Sequence, residues 1–476
     1  MTRHHKIIMA IQQSKTQLTV IGAGPGGYAA AFRAADLEME VTLIDADDVL
    51  GGVCLHRGCI PSKALLHVTQ VLDEALKLEE CGVVFKEPRI DLQKLKSWKE
   101  GVIGKLSQGL KGLAKQRKVG FIQGRASFLD DHTLRVICPS KGEIHLETEF
   151  VIIATGSRPR TLDVWPIDSP HMWNSTQALE LNEIPENLLV IGGGYIGLEL
   201  GCVYASLGSK VSLVEMTSSL LPGVDRDLVS VLSKNIFSRF ENIYLNASVE
   251  SIKSHRTDLS VSLKTQNQNL QQNFDKVLYA IGRLPNSSGL GLEHTSVETD
   301  DRGFIVVDEQ RRTHQENIFA IGDVAGEPGL AHKAAHEARV AVEAILGEST
   351  TFMPRAIPAV VFTNPEVAWC GFMEKEAKKE GYSIKVLKFP WQASGKAICM
   401  GTETGLTKMI VDQETEQILG VGLVGLHAGE MISEAVLALE MGATPKDLSL
   451  TIHPHPTLSE TIMESAEMFY GRSVHL

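Results

Sequence analysis

Cysteine is scarce in this chain. Seven in 476 residues is an odd number and too few to staple a fold, so a disulfide scaffold is excluded and the compartment reads as reducing. Long apolar runs are missing too: no stretch approaches 18 uninterrupted apolar residues, which excludes a membrane-spanning helix on length. Nor is there an excess of positive charge, because 46 Lys and Arg face 58 Asp and Glu, and the net charge of −12 repels nucleic acid. The basic start, MTRHHKIIMAIQQSK, has an apolar run at 7–11 that is too short for a secretory core, and no small-residue cleavage site follows. Residues 1–16 are therefore expected to be a disordered extension, with Met9 as an alternative start, on a cytoplasmic protein. What remains, 43% hydrophobic and 22% charged, is the composition of a globular chain of about three domains.

What is present in abundance is patterned glycine. A β-branched run ends at Ile21 and is followed by Gly22-Ala-Gly24-Pro-Gly-Gly27, an Ala-rich helical stretch at 28–37, and a second strand at 40–44 that stops at Asp45. The same order recurs: an apolar run at 188–191, Gly192-Gly-Gly194-Tyr-Ile-Gly197, a helix to about Leu207, and a strand at 210–214 that stops at Glu215. In both copies the acid lies 23 residues after the first glycine. The first glycine permits the tight turn out of the strand, the second lets a pyrophosphate touch bare backbone, and the third lets the helix pack closely. Unpaired amides at the helix start meet the negative charge, and the acid accepts bonds from a ribose diol. One such motif is weak evidence; two in register predict two bound dinucleotides. After Glu215 come Met216, Thr217, Ser218 and Ser219, with no Arg or Lys to meet a 2′-phosphate, which favours NAD over NADP.

After the first copy stands Gly51-Gly52-Val-Cys54-Leu-His-Arg-Gly-Cys59-Ile-Pro-Ser-Lys63. In an ideal α-helix, residues five apart have Cα atoms about 8.7 Å apart, beyond the roughly 7 Å limit for a disulfide. If the two cysteines bridge, the helix must be distorted between them, and Gly58 is the residue that permits it. The spacing alone suits either a redox pair or two unrelated core thiols. Cys81, Cys138, Cys202, Cys370 and Cys399 lie far apart, without metal-ligand spacing, and are expected to be buried thiols; no metal is expected. Near the C-terminus, Thr451-Ile-His453-Pro-His455-Pro-Thr-Leu-Ser-Glu460 offers a histidine oriented by a carboxylate, the make-up of a general base that titrates near neutrality. His453 and His455 both compete for that role.

From about residue 17 onward the chain resembles the pyridine nucleotide-disulfide oxidoreductases. Within that family, CIPSK after the second cysteine is similar to the lipoamide enzymes, whereas the glutathione branch tends to carry CVPKK. The resemblance implies an α/β, glutathione reductase-like fold: a Rossmann-like FAD-binding domain at 1–157, an NAD-binding domain at 158–284, a central piece at 285–355 that completes the FAD site, and an α+β dimerisation domain at 356–476. It implies that Cys54 exchanges with substrate while Cys59 lies against FAD, and that Lys63 sits near the flavin N5, paired with Glu199. His455 becomes the base and Glu460 its partner, reaching the disulfide of the other subunit of a homodimer. The implied FAD contacts are Gly22, Gly24, Gly27, Asp45, Gly51, Gly52, Lys63, Ala126, Thr155, Gly156, Asp323 and Ala331. The implied NAD contacts are Gly192, Gly194, Gly197, Glu215, Val249, Gly282 and Arg283.

The implied activity is oxidation of protein-bound dihydrolipoamide to lipoamide with hydride transfer to NAD+. The implied partners are the lipoyl domains and core acyltransferase of 2-oxo acid dehydrogenase complexes. Two departures stand out: His56-Arg57 replaces the usual Asn-Val, and the first ribose acid is Asp45 where Glu is commoner. Arg57 either lowers the thiolate pKa of the pair or is a solvated side chain. From 91 to 118, Leu92, Leu95, Trp98, Val102, Leu106, Leu110 and Leu113 recur every three or four residues and predict an amphipathic helix, its outer face carrying eight Lys/Arg and two acids. The alternatives are a disulfide reductase of a small thiol, which with NADPH would need a basic pair after Glu215, and a non-catalytic subunit of a multienzyme complex.

Overall fold

The computed structural model describes residues 12–476 apart from Glu87; residues 1–11 lie outside it. The chain forms two compact units, each discontinuous in sequence. The first combines the N-terminal segment to Pro61 with Trp98–Pro159 and Arg283–Met353; the second combines Ser62–Ser97, Arg160–Gly282 and Pro354–Leu476.

The first unit is built on a seven-stranded sheet. Strands Gly120–Gln123, Val41–Asp45, Gln12–Ile21 and Gly142–Ile153 lie side by side in parallel, and Ile318–Ala320 joins the far side of the last. The strand Gly142–Ile153 shows why. Its first part alternates buried and exposed positions and pairs antiparallel with Thr133–Cys138, covered on one face; its end, Val151, Ile152 and Ile153, is wholly buried and sits between two parallel neighbours. The first strand begins at Gln12 and pairs from Gln12↔Ile144 onward, so residues 12–16 belong to the sheet, not to an extension as expected. The remainder of that expectation falls on residues outside those described. Helices Pro25–Asp36 and Ala331–Ile345 pack together over this sheet through Ala30, Ala34, Ala338 and Ala341.

The helix Leu92–Gln116 forms where expected, but its buried face is displaced. Lys99, Ile103 and Ala114 are buried and Leu92, Leu95, Val102 and Leu110 half-buried, whereas Trp98, Leu106 and Leu113 are exposed. One residue is 100° of rotation, so the contact runs a step round from the apolar stripe.

In the second unit a parallel sheet runs in the order Asn242–Tyr244, Lys210–Val214, Asn187–Ile191, Lys276–Tyr279, Met172–Trp173. Its central strands are near-continuous apolar runs, and the helix Tyr195–Ser206 is buried through eight of its residues, as a helix apolar all round must be. The C-terminal part is a five-stranded antiparallel sheet, Ala359–Val361, Glu366–Gly371, Ile418–Gly425, Leu406–Asp412, Ile384–Pro390, covered by helices that include Ala428–Glu440 and Glu460–Glu467. Among the described residues no helix is long and apolar enough to cross a membrane.

Candidate active site

The two glycine turns are superposable in their chemistry. A Cβ on Gly22 (φ +105°) would lie 2.3 Å from the Ala154 carbonyl oxygen, and one on Gly192 (φ +110°) 2.4 Å from that of Ala280. Each turn is thus pressed against the end of the neighbouring parallel strand, at the crevice beyond the strand C-termini where such sheets bind ligands. Gly24 and Gly194, immediately before their helices, would meet nothing within 4 Å. This is open space at the first turn of each helix, and it fits a pyrophosphate. A Cβ on Gly27 would stand 1.7 Å from Gly22 O, and one on Gly197 2.2 Å from Gly192 O. The third glycine therefore brings the helix chiefly onto the turn itself, a closer contact than the helix-to-sheet packing expected.

At the strand tips both acids bind the same loop. Asp45 Oδ2 accepts from Ala23 N (2.5 Å) and its Oδ1 from Asp47 N (2.9 Å); burial nevertheless raises its pKa. Glu215 Oε2 accepts from Gly193 N (2.7 Å) and its Oε1 from Thr217 N (2.7 Å).

The cysteine segment leans on the first turn. Gly51 N donates to Ala23 O (2.8 Å), and a Cβ on Gly52 would lie 2.6 Å from Gly24 Cα. Helix Gly52–Arg57 stops at Gly58 (φ −145°, ψ −115°), and a second helix, Cys59–Lys77, starts at the next residue. The helix is therefore broken between the cysteines at the residue singled out for it. Any side chain at 58 would press within 2.9 Å of Val53 O and 3.3 Å of Cys54 Cα. Arg57 is ion-paired with Asp47, so part of its charge is already met by a carboxylate. His56 Nε2 is 2.8 Å from Leu50 O. Tyr28, one residue past the glycine motif, sits close enough to both sulfurs that, after burial, Cys54 and Cys59 are the next causes of its raised pKa.

Asp323 lies in the turn Gly322–Val324 after strand Ile318–Ala320 and accepts from Ser157 Oγ (2.5 Å). Arg283, expected at NAD, falls in the first unit, where it donates to Ser157 Oγ (2.7 Å) and Ser157 O (2.6 Å) beside Asp323. Thr155 Oγ1 donates to Asn286 O, Gly156 adopts φ +68°, and Ala331 opens its helix. Ala126 is buried in a strand. In the second unit Gly282 adopts φ +114° with open space at its Cβ, and Val249 stands at a strand irregularity.

Two polar constellations lie within the second unit. Lys63 Nζ donates to Glu199 Oε2 (2.8 Å), the other oxygen of the buried Glu199 accepts from Phe362 N (3.0 Å), and the ammonium lies over the Phe362 ring. His455 Nδ1 lies 2.9 Å from Glu460 Oε1, and Glu460 Oε2 accepts from Thr457 N (2.7 Å). Although burial opposes it, donation from Thr457 and His455 holds the Glu460 carboxyl below its usual range. His453 is different: its side chain is 5% exposed and bound at both ring nitrogens, to Thr451 O (2.9 Å) and Glu434 Oε1 (2.6 Å), while that of His455 is 75% exposed. Sequence reasoning missed Tyr28, Asp47, Ser157, Glu434 and Phe362. For Tyr28 the signal was its place directly after Gly27; the others are joined to the site only by folding.

Residues 16–338 match the pyridine nucleotide-disulphide oxidoreductase family, and residues 357–466 match its dimerisation domain. The chain is 47% identical over 461 residues to the dihydrolipoyl dehydrogenase of Vibrio cholerae, covering 97% of both chains, and 45% identical over 462 residues to that of Thermus scotoductus, covering 96% of this chain and 98% of the other. Among solved structures, LpdA from Mycobacterium tuberculosis is similar with TM-score 0.89 at 27% identity, covering 95% of this chain and 99% of that one. The Cu(II) complex of the HOCl-induced flavoprotein disulfide reductase RclA from Escherichia coli gives 0.85 at 30% identity, covering 96% and 99%. With two dinucleotide turns, a cysteine pair set against one of them and a family match over most of its length, this chain belongs to the pyridine nucleotide-disulphide oxidoreductases, which use FAD and a nicotinamide dinucleotide.

Proposed function

We propose that this protein is a dihydrolipoyl dehydrogenase that oxidises protein-bound dihydrolipoamide through Cys54 and Cys59 and passes the electrons to NAD+. The observation that carries this is the seating of the cysteine segment on the first glycine turn, Gly52 against Gly24, which joins a dithiol to a dinucleotide site. Identities of 45–47% to dihydrolipoyl dehydrogenases over nearly the whole chain support the choice of substrate.

FAD would be held by the turn Gly22–Gly27, Asp45 and Asp323, and when bound it supplies a two-electron carrier between dithiol and nicotinamide. The chain's own residues handle the sulfur and proton chemistry. A carboxylate can only accept, so Glu460 fixes the proton of His455 on Nδ1 and leaves Nε2 with the lone pair that takes a thiol proton. The substrate thiolate attacks Cys54, the Cys54–Cys59 bond breaks, and Cys59 departs as a thiolate. The second substrate thiol then displaces Cys54 and closes the lipoamide disulfide. The net reaction is dihydrolipoamide + NAD+ → lipoamide + NADH + H+. Lys63, held by Glu199, places a positive charge four residues along the helix from Cys59.

The dimerisation-domain match supports a homodimer. We extend this to His455 serving the disulfide of the other subunit, and to lipoyl domains and a core acyltransferase of 2-oxo acid dehydrogenase complexes as partners. Purified protein is tested for lipoamide reduction with NADH and with NADPH. A yellow protein active with lipoamide and NADH is expected. Preference for NADPH and a small disulfide would replace this reading with a small-thiol reductase, and a colourless, inactive protein would favour the non-catalytic subunit.

A further inference from the structure

The loop between the second ribose acid and the next helix, residues 216–225, is held in an unusual way. Leu221 occupies the left-handed region (φ +46°), which a leucine adopts only when its surroundings enforce it. The enforcement comes from Arg226, at the start of helix Arg226–Arg239. Its Nη1 donates to Leu220 O (3.0 Å), its Nη2 to Leu221 O (2.8 Å) and to Val224 O, and its Nε to Val224 O (3.1 Å). Three carbonyl dipoles that would otherwise repel one another converge on one guanidinium, whose planar fork of donors suits that task.

The loop so gathered touches the second glycine turn at two points. Leu221 N donates to Gly193 O (2.9 Å), and the Leu220 side chain lies 3.0 Å from where a Gly193 Cβ would be. Gly193 N in turn donates to Glu215. The loop is also anchored at its far end. Asp225, beside Arg226, binds the ammonium of Lys408 (2.8 Å), a 1%-exposed lysine on strand Leu406–Asp412 that is shared with Asp227 and Glu374. The three carboxylates could hold a cation, and Lys408 supplies it.

We propose that Arg226 is a positioning residue for the nicotinamide dinucleotide. By drawing the carbonyls of 220–224 together it seats Leu220 and Leu221 against Gly193 and so fixes the turn that receives the pyrophosphate. This rests on the assignment of that turn to NAD.

The test is calorimetric binding of ADP-ribose, which cannot exchange electrons, to the FAD-containing enzyme, together with KM for NAD+ and for dihydrolipoamide. Arg226→Gln is expected to weaken ADP-ribose binding about tenfold, close to the low end of what a single hydrogen bond to a charged group contributes. KM for NAD+ should rise relative to KM for dihydrolipoamide, and Arg226→Lys should recover part of the loss. Leu220→Ala, with Arg226 intact, should also weaken binding, and it stands in if Arg226→Gln does not fold. ADP-ribose affinity within twofold of wild type in Arg226→Gln, or in Leu220→Ala if that variant alone folds, overturns the proposal. Failure of the wild-type enzyme to bind ADP-ribose would instead overturn the NAD assignment, and this inference with it.

Discussion

Replacing Glu460 by Gln tests the proton chemistry more sharply than removing His455. In the native arrangement one carboxylate oxygen accepts from Thr457 N at 2.7 Å and the other faces His455 Nδ1 at 2.9 Å. A carboxamide has only one acceptor oxygen. Thr457 N, a backbone donor that must be met, takes it, and the NH2 group then points at Nδ1. Nδ1 becomes an acceptor and the proton moves to Nε2, the atom that should receive the substrate proton. The side chain is isosteric and the helix Glu460–Glu467 is kept, so geometry survives while the tautomer is inverted. General-base catalysis contributes roughly 10²–10⁴ in rate. The expectation is therefore a fall of at least about 100-fold in dihydrolipoamide oxidation, with NADH oxidation by ferricyanide, which moves no thiol proton, little changed. Dihydrolipoamide turnover within threefold of wild type would refute the assignment of roles to Nδ1 and Nε2.

Of the five cysteines expected to be buried thiols, Cys138, Cys202 and Cys370 are buried but Cys81 and Cys399 are exposed. Burial pushes the thiols of Cys202 and Cys370 up to about 12, so at pH 8 their thiolate fraction falls about a thousandfold from that of an ordinary thiol; iodoacetamide mapping by mass spectrometry should label Cys81 and Cys399 and leave Cys202 and Cys370 unlabelled. His475 is held above its ordinary pKa first by its bond to Glu464, with Glu464, Glu460 and Glu467 adding charge. A raised folded-state value means the tail contact is fully present below about pH 6.5 and is lost as pH rises through the folded value. Release of the last residues by carboxypeptidase, normalised to a free peptide, should thus accelerate at alkaline pH, and an unchanged rate would count against the contact. Gly197→Ala places a methyl 2.2 Å from Gly192 O and should abolish ADP-ribose binding while FAD is retained; Gly27→Ala, at 1.7 Å from Gly22 O, should do the reverse.

The turns were legible because their constraints are local. Gly22 and Gly27 meet within six residues, so the pattern that makes the turn can be read from a short window, and helix geometry named Gly58 as the place of a break on the condition that the two cysteines act as a pair. His455 and His453 could be distinguished only by family likeness, because Glu434, which binds His453, lies nineteen residues away on the helix Ala428–Glu440. The partners of Arg283 could not be read from its motif: it closes the NAD segment in sequence, and its guanidinium bonds Ser157 beside Asp323. The helix Leu92–Gln116 was legible as a helix but only in part in its facing, since Leu92, Leu95 and Leu110 pack on core residues while Trp98, Leu106 and Leu113 are exposed and Lys99 and Ile103 are buried instead. Its buried Lys99 pairs at its tip with Glu100, the amphipathic behaviour of a long side chain that hydropathy counts as outside.

The central claim is that Cys54 and Cys59 act as one redox couple between dihydrolipoamide and the dinucleotides. Anaerobic titration of Cys59→Ser enzyme with dihydrolipoamide, followed by the visible absorbance of the bound flavin and by NADH formation, tests it most directly. The account predicts that the variant retains FAD, that its flavin is not reduced by dihydrolipoamide, and that NADH formation is lost. Full lipoamide turnover in that variant would contradict the account.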